Sequence, residues 1–294
     1  MRAIGWFLAA IAGTLVLAAA AAWPAWQLAQ AIDSHWAFHR VVGRLWQLLL
    51  LVGLLLAVRR LGLRSRADWG YGLPRPLFLR QFAAGLAIGL VTLVPVAIAI
   101  VALGIRVPRP EFGGALVAEG IAAGAVAGLV ASLIEETFFR GLMHGAVARE
   151  SGFAAALVST ALLYGAIHFL GRNAIPAGEL GWGSGFTLLA GSLARFASFA
   201  TIADSFVALC LVGALLAGVR ERTGAIAAGL GLHMGWVMVI KGTAVTTRAD
   251  PAADWAFLVG ATDGFTGWLV AAWAALLLAA GWRRLRGAIS PARV

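Results

Sequence analysis

Charge and sulfur are both scarce in this chain. Only 12% of its residues are Asp, Glu, Lys or Arg, against roughly a quarter in ordinary globular domains, which is too little to cover a water-soluble body. The single cysteine, Cys210, excludes an intrachain disulfide and a thiolate metal cluster. Lysine and asparagine occur once each, at Lys241 and Asn173, while Ala, Gly and Arg abound. That bias points to a GC-rich bacterial genome and says nothing about fold. Internal repeats, low-complexity tracts and a soluble domain are all missing, as are an HExxH helix and a serine in a nucleophile-elbow setting.

What fills the chain instead is apolar sequence, 61% of all residues. Eight segments approach or reach the length needed to span about 30 Å of hydrocarbon, near residues 4–28, 41–58, 81–104, 116–139, 153–170, 198–219, 224–241 and 266–282. The expected fold is all-α, a polytopic membrane helix bundle of about eight transmembrane helices. The first segment has an Arg2 start and an Ala18–Ala22 run that resemble a signal peptide, but its apolar stretch exceeds a usual h-region and reads as an uncleaved anchor. The net charge of +10 resides in short basic runs between apolar segments, the pattern of positive-inside flanks and not of a nucleic-acid surface. Most Arg residues fall on one side if both termini are cytoplasmic, and the expected location is a bacterial inner (cell) membrane. The partner implied is the lipid bilayer, with no nucleic acid.

Residues 59–80 form a basic cytoplasmic linker with turn signals at Gly72, Pro74 and Pro76. Within it, the stretch around Trp69 and Tyr71 reads as a surface piece anchored at the headgroups. Residues 171–197 read as an outer Gly-rich loop able to re-enter the membrane.

The costliest residues lie between Gly120 and Glu150, where an apolar helix carries Glu135 and Glu136 side by side and Arg140 one turn on. An ionised carboxylate in a bilayer costs several kcal/mol unless paired or neutralised, so such a pair is a functional hypothesis by default. Glu136 and Arg140 stand at i and i+4 and are expected to form an ion pair. Glu135 lies about 100° away around the helix and is left available for chemistry. Gly124, Gly128 and Ser132 form a row of small residues that permits close helix packing. Glu135 is expected near that face, turned into the bundle. Against this stands the plain reading that the pair only staples two helices.

Three histidines, His144, His168 and His233, lie in or beside apolar helices. If the fourth and fifth segments form a hairpin turning near Ser151, Glu135 and His168 sit at nearly equal distances from the turn and therefore at one depth. His233 is likewise within the membrane. Small residues precede each on the same helical face, Ala161 and Gly165 before His168, Ala225 and Gly229 before His233. Tyr164, one turn before His168, is placed to stack on it or to donate its hydroxyl. His144 is too far along the axis to join them and reads as a surface or hairpin residue. One Glu and two His suit hydrolysis, with Glu as general base and the histidines holding a metal, moving a proton or stabilising an oxyanion. The same Glu135, His168 and His233 set would also serve a catalytic zinc with one open position.

With these residues in order, the chain resembles the CPBP intramembrane proteases, which include type II CAAX prenyl endopeptidases and bacteriocin-processing (Abi-like) proteins. Glu135, Glu136 and Arg140 match the EExxxR signature, and Tyr164 with His168 is similar to the aromatic-xxx-His signature, with Tyr for the usual Phe. His233 matches the late histidine, but Val237 stands where relatives place Asn or Asp. The resemblance covers about Gly120 to Lys241 and implies endopeptidase activity on a membrane-associated or prenylated-type protein or peptide. By the same resemblance Glu135 activates the water, His168 and His233 are its metal-binding or proton-transfer and oxyanion partners, and Glu136 with Arg140 orders the site; the cofactor implied is a divalent metal ion such as zinc. The chain then divides into residues 1–115 (N-terminal helices and linker), 116–242 (CPBP-like core) and 243–294 (outer loop and last helix), integrated in one membrane domain. Two other classes compete: a proton- or ion-coupled transporter, which predicts repeat symmetry, and a catalytically silent immunity or scaffold protein, kept open by Val237.

Overall fold

A computed structural model describes residues 2–32, 36–57, 62–170 and 174–289. Asn173 and the basic residues Arg59, Arg60, Arg172 and Arg293 lie outside them. Among the described residues five helical runs are long and apolar enough to cross a membrane: Arg2–Ala20, Arg75–Ala102, Gly114–Ile167, Ala203–Thr223 and Ala227–Thr246. The protein is an all-α polytopic membrane helix bundle, and the only sheet among the described residues is a ribbon of two three-residue strands. The expected first segment is α1 (Arg2–Ala20) followed, after a break at Ala21, by α2 (Ala22–Ala31). The stretch expected as an outer loop contains a helix of its own, Ser184–Ala197.

The helices pack as two units, residues 1–64 with 166–202, and residues 65–165 with 203–294. In the first unit α1 and α2 pack with α3 (Phe38–Ala57) and with the helix Ser184–Ala197. The α3 Trp46 indole donates to Thr14 Oγ1 at 3.1 Å, while Thr14 itself donates to Ala10 O at 2.7 Å. Ala22, Phe38, Val42 and Leu188 form the apolar centre of this unit.

The second unit is built around one central helix, Ala227–Thr246, which carries His233. On one side runs α4 (Arg75–Ala102) and on the other α5 (Gly114–Glu136). Both contacts are made backbone to backbone at glycines. A Cβ on Gly85 would meet Ala228 O, and one on Gly231 would meet Phe82 O. On the other side, Cβ atoms on Gly124 and Gly128 would lie 2.9 Å from Met238 Cα and 2.8 Å from Met234 O. Lipid is as apolar as leucine, so close packing of small residues is what holds such helices together. Pro95 lies inside α4 and cannot donate to the helix ladder. Nearby, Thr92 is a tie point: Trp273 Nε1 donates to Thr92 O at 2.6 Å and Trp236 Nε1 to Thr92 Oγ1 at 3.0 Å.

The run Gly114–Ile167 is too long for one span and turns at Gly152, whose φ is +83°. Arg140 and Tyr164, equally far from Gly152 on either side, meet with the guanidinium carbon 4.5 Å from the ring centroid. The chain therefore folds back as a hairpin where the sequence placed its turn. After Gly152 it packs on the helix Ala203–Thr223, Ala161 facing Gly213 and Gly165 facing Cys210 and Phe206 O.

The two ends of this unit are closed differently. At one end the strands Arg106–Pro108 and Thr247–Ala249 pair antiparallel, and buried Arg106 donates from Nε to Thr247 Oγ1 at 2.7 Å and from Nη2 to Thr247 O at 3.1 Å. At the other end lies the linker, with Trp69 and Tyr71 both half-buried. The linker turns inward: Gly70 O accepts from Ile226 N at 3.1 Å, Trp69 O lies against Gly141, and the Tyr71 hydroxyl meets Thr137 Oγ1 at 2.6 Å.

Gly85→Ala and Gly231→Ala are expected to lower stability by about 1–3 kcal/mol each through forced separation of packed helices. Gly13→Ala, where nothing lies within 4 Å of the added carbon, is expected to be neutral. Thermal unfolding of the purified variants in one detergent measures the difference.

Candidate active site

The glutamates close α5, and the seven residues after them, Thr137–Met143, form a π-helix. Such a wide turn is rare and recurs at functional sites. Phe138 through Met143 are all buried in it.

Glu136 is fully buried, and its Oε1 accepts from two directions: Arg140 Nη1 at 3.0 Å and His233 Nδ1 at 3.0 Å. The expected Glu136–Arg140 ion pair is therefore present, and it has a third member. Arg140, also fully buried, donates from Nη2 to Gly213 O at 3.1 Å and lies over the Tyr164 ring. Its own carbonyl accepts from Arg220 Nε at 3.1 Å. Room for the Glu136 carboxylate comes from Gly229, where a Cβ would stand 3.1 Å from Oε2.

The buried row Gly120, Gly124, Gly128, Ser132 continues in one line to Glu136. Glu135 stands beside that line, its side chain 21% exposed, with Oε2 at 3.9 Å from His233 Nε2. Both acids thus reach the same imidazole, one at each nitrogen. A carboxylate only accepts, so Nδ1 carries a hydrogen toward Glu136, and in the neutral ring Nε2 presents its lone pair toward Glu135.

Tyr164 is buried with its ring centroid 6.2 Å from that of His233 and 5.3 Å from that of Phe139, and its hydroxyl hydrogen-bonds Glu135. It stacks under Arg140, whose guanidinium carbon lies 4.5 Å from the ring centroid. His168 itself is half-buried in the turn after Ile167 and packs with the first unit. His144 is corrected: it is buried, edge-on to Phe153 with centroids 6.0 Å apart, its Nε2 3.4 Å from Glu221 Oε2. Val237, one turn past His233, is half-buried.

Among the described residues no group of three or more His, Cys, Asp or Glu side chains is arranged to hold a metal ion. His233 already gives Nδ1 to Glu136, and Glu136 Oε1 is shared with Arg140.

Residues 117–239 match the family model described as Type II CAAX prenyl endopeptidase Rce1-like. No curated protein and no solved structure matches the chain. The matched stretch contains Glu135, Glu136, Arg140, Tyr164, His168 and His233. The match supports the CPBP/CAAX protease family for residues 117–239.

Proposed function

We propose that this chain is a glutamate-dependent intramembrane endopeptidase whose base is Glu135. The observation that carries the reading is the position of His233, bound at Nδ1 by buried Glu136 and facing Glu135 with Nε2. A gap of 3.9 Å is too long for a direct hydrogen bond and suits a water touching both groups. Glu135 takes a proton from that water as its oxygen attacks the scissile carbonyl, while His233 Nε2 accepts the second hydrogen and fixes the water's direction. Glu135 then returns the proton to the leaving amine. Glu136 and Arg140 hold the imidazole in one tautomer and orientation throughout, as a buried carboxylate does for a catalytic histidine. Family resemblance adds His168 to the residues that act on the water or the oxyanion. The family match also supports a membrane-associated substrate of the prenylated C-terminal type.

The first test is cleavage of farnesylated and unlipidated labelled peptides by the purified protein in liposomes. Release of the C-terminal fragment from the farnesylated peptide is the expected result. Glu135→Gln is expected to lower turnover by about a hundredfold or more, the usual scale of lost acid–base catalysis, with the melting temperature kept. Glu136→Gln is expected to destabilise the fold by about 3–5 kcal/mol, since it strands Arg140 in a buried setting. Equal behaviour of the two variants contradicts the division of roles.

A chelator series separates this reading from metal catalysis. Turnover is expected to persist after stripping with a strong chelator and to be unchanged by added zinc; loss on stripping and recovery with zinc would assign a metal instead. Val237 favours one other reading, a catalytically silent member. An inactive wild type that gains cleavage as Val237→Asn would support it.

A further inference from the structure

Two parts of the fold must keep their relative position for the Glu135–His233 geometry to hold. One is the π turn that follows the glutamates, the other is the N-terminal end of the helix Ala227–Thr246. Both are touched by the same short segment of the linker. Gly70 O caps the helix at Ile226 N, and Gly70 has a φ of +81° with Ile226 Cγ2 2.6 Å from where a Cβ would sit. Only glycine fits there without strain. One residue back, Trp69 O rests on Gly141 of the π turn. One residue on, Tyr71 reaches Thr137, the first residue of that turn and the neighbour of Glu136.

The direction of the last bond is settled by counting hydrogens. Thr137 Oγ1 donates its only hydrogen to Leu133 O at 2.5 Å, so toward Tyr71 it accepts. Tyr71 must then donate and must be protonated. Burial, with the Glu136 charge in addition, raises the Tyr71 pKa above its ordinary value and keeps it so. Phe78 stacks on the Tyr71 ring with centroids 5.8 Å apart and planes 16° apart, which holds the phenol in place.

We propose that Tyr71 is a positioning residue for the reaction: by donating to Thr137 it fixes the start of the π turn, and so the bearing of Glu135 and Glu136 on His233. The linker segment is thus part of the active site's frame although it lies outside the matched residues 117–239. The hydroxyl acts through Thr137 and does not itself meet the substrate.

The proposal rests on the endopeptidase reading, and the test distinguishes the failure of each. Tyr71→Phe keeps the ring and its stack on Phe78 and removes only the donor. It is expected to lower kcat about tenfold or more with KM little changed, because ångström-scale misplacement of a catalytic group costs up to about a hundredfold. Thr137→Val is expected to match it, Thr137→Ser to retain wild-type turnover, and the Tyr71→Phe/Thr137→Val double variant to be no worse than either single one. Additive losses, or loss in Thr137→Ser equal to that in Thr137→Val, would mean that the residues act separately as packing and would overturn it. Hydrogen exchange gives a readout independent of turnover. Amides of Thr137–Met143 should exchange faster in Tyr71→Phe, and unchanged protection there overturns the proposal whether or not the wild type cleaves. A wild type that cleaves equally well with Tyr71→Phe defeats the proposal alone. A wild type that cleaves nothing defeats the endopeptidase reading, and the exchange result then decides the role of Tyr71 in the turn.

Discussion

A single buried oxygen, Glu136 Oε1, accepts from a guanidinium and an imidazole at 3.0 Å each. Around it there is no water-like medium to share the load, and a carboxylate in such a place is tolerated only with partners this close. The bond to Arg140 draws in Gly213 O of the neighbouring helix, and the bond to His233 draws in the central helix. Three helices and the π turn are therefore tied at one charge. The same tie sets which nitrogen of His233 faces Glu135, so the stability of the core and the orientation of the site rest on one group.

The glycines serve that arrangement. A helix flanked on both sides by backbone contact leaves little room for side-chain adjustment, and glycine at Gly85, Gly124, Gly128 and Gly231 sets the helix separations directly. Gly229 belongs to the same pattern but faces the carboxylate instead of a helix. Larger residues there would not merely loosen packing; they would displace Glu136 from the imidazole it holds. Packing and electrostatics are in this way fixed by the same residues.

Much of this was legible in the sequence, and the residues that carried it had a reason to be readable. Glu135, Glu136 and Arg140 are conspicuous because charge is expensive in an apolar run, and i, i+4 spacing is a local property. The hairpin was expected to turn near Ser151, where two apolar segments meet, and it turns one residue on, at Gly152. What escaped was non-local or irregular. The π turn has no composition of its own, since its residues are ordinary helix formers. Nothing in the chain's order brings Arg220 to Arg140 O, 80 residues away. The bond between Tyr71 and Thr137 joins residues 66 apart in sequence, and no local pattern announces it.

The π turn has a consequence for phase. It accommodates an extra residue relative to an α-helix, and each residue corresponds to about 100° of rotation. The face presented before Thr137, with Glu135 and Glu136 toward the central helix, and the face presented after Met143, with His144 turned to Phe153 and Glu221, are therefore set independently. An unbroken helix through this stretch could satisfy one of these alignments and not the other. The stretch is thus a spacer whose length matters more than its identity. Exchange of one buried side chain for another of similar size leaves both faces where they are, whereas the gain or loss of a single residue turns one of them away from its partner.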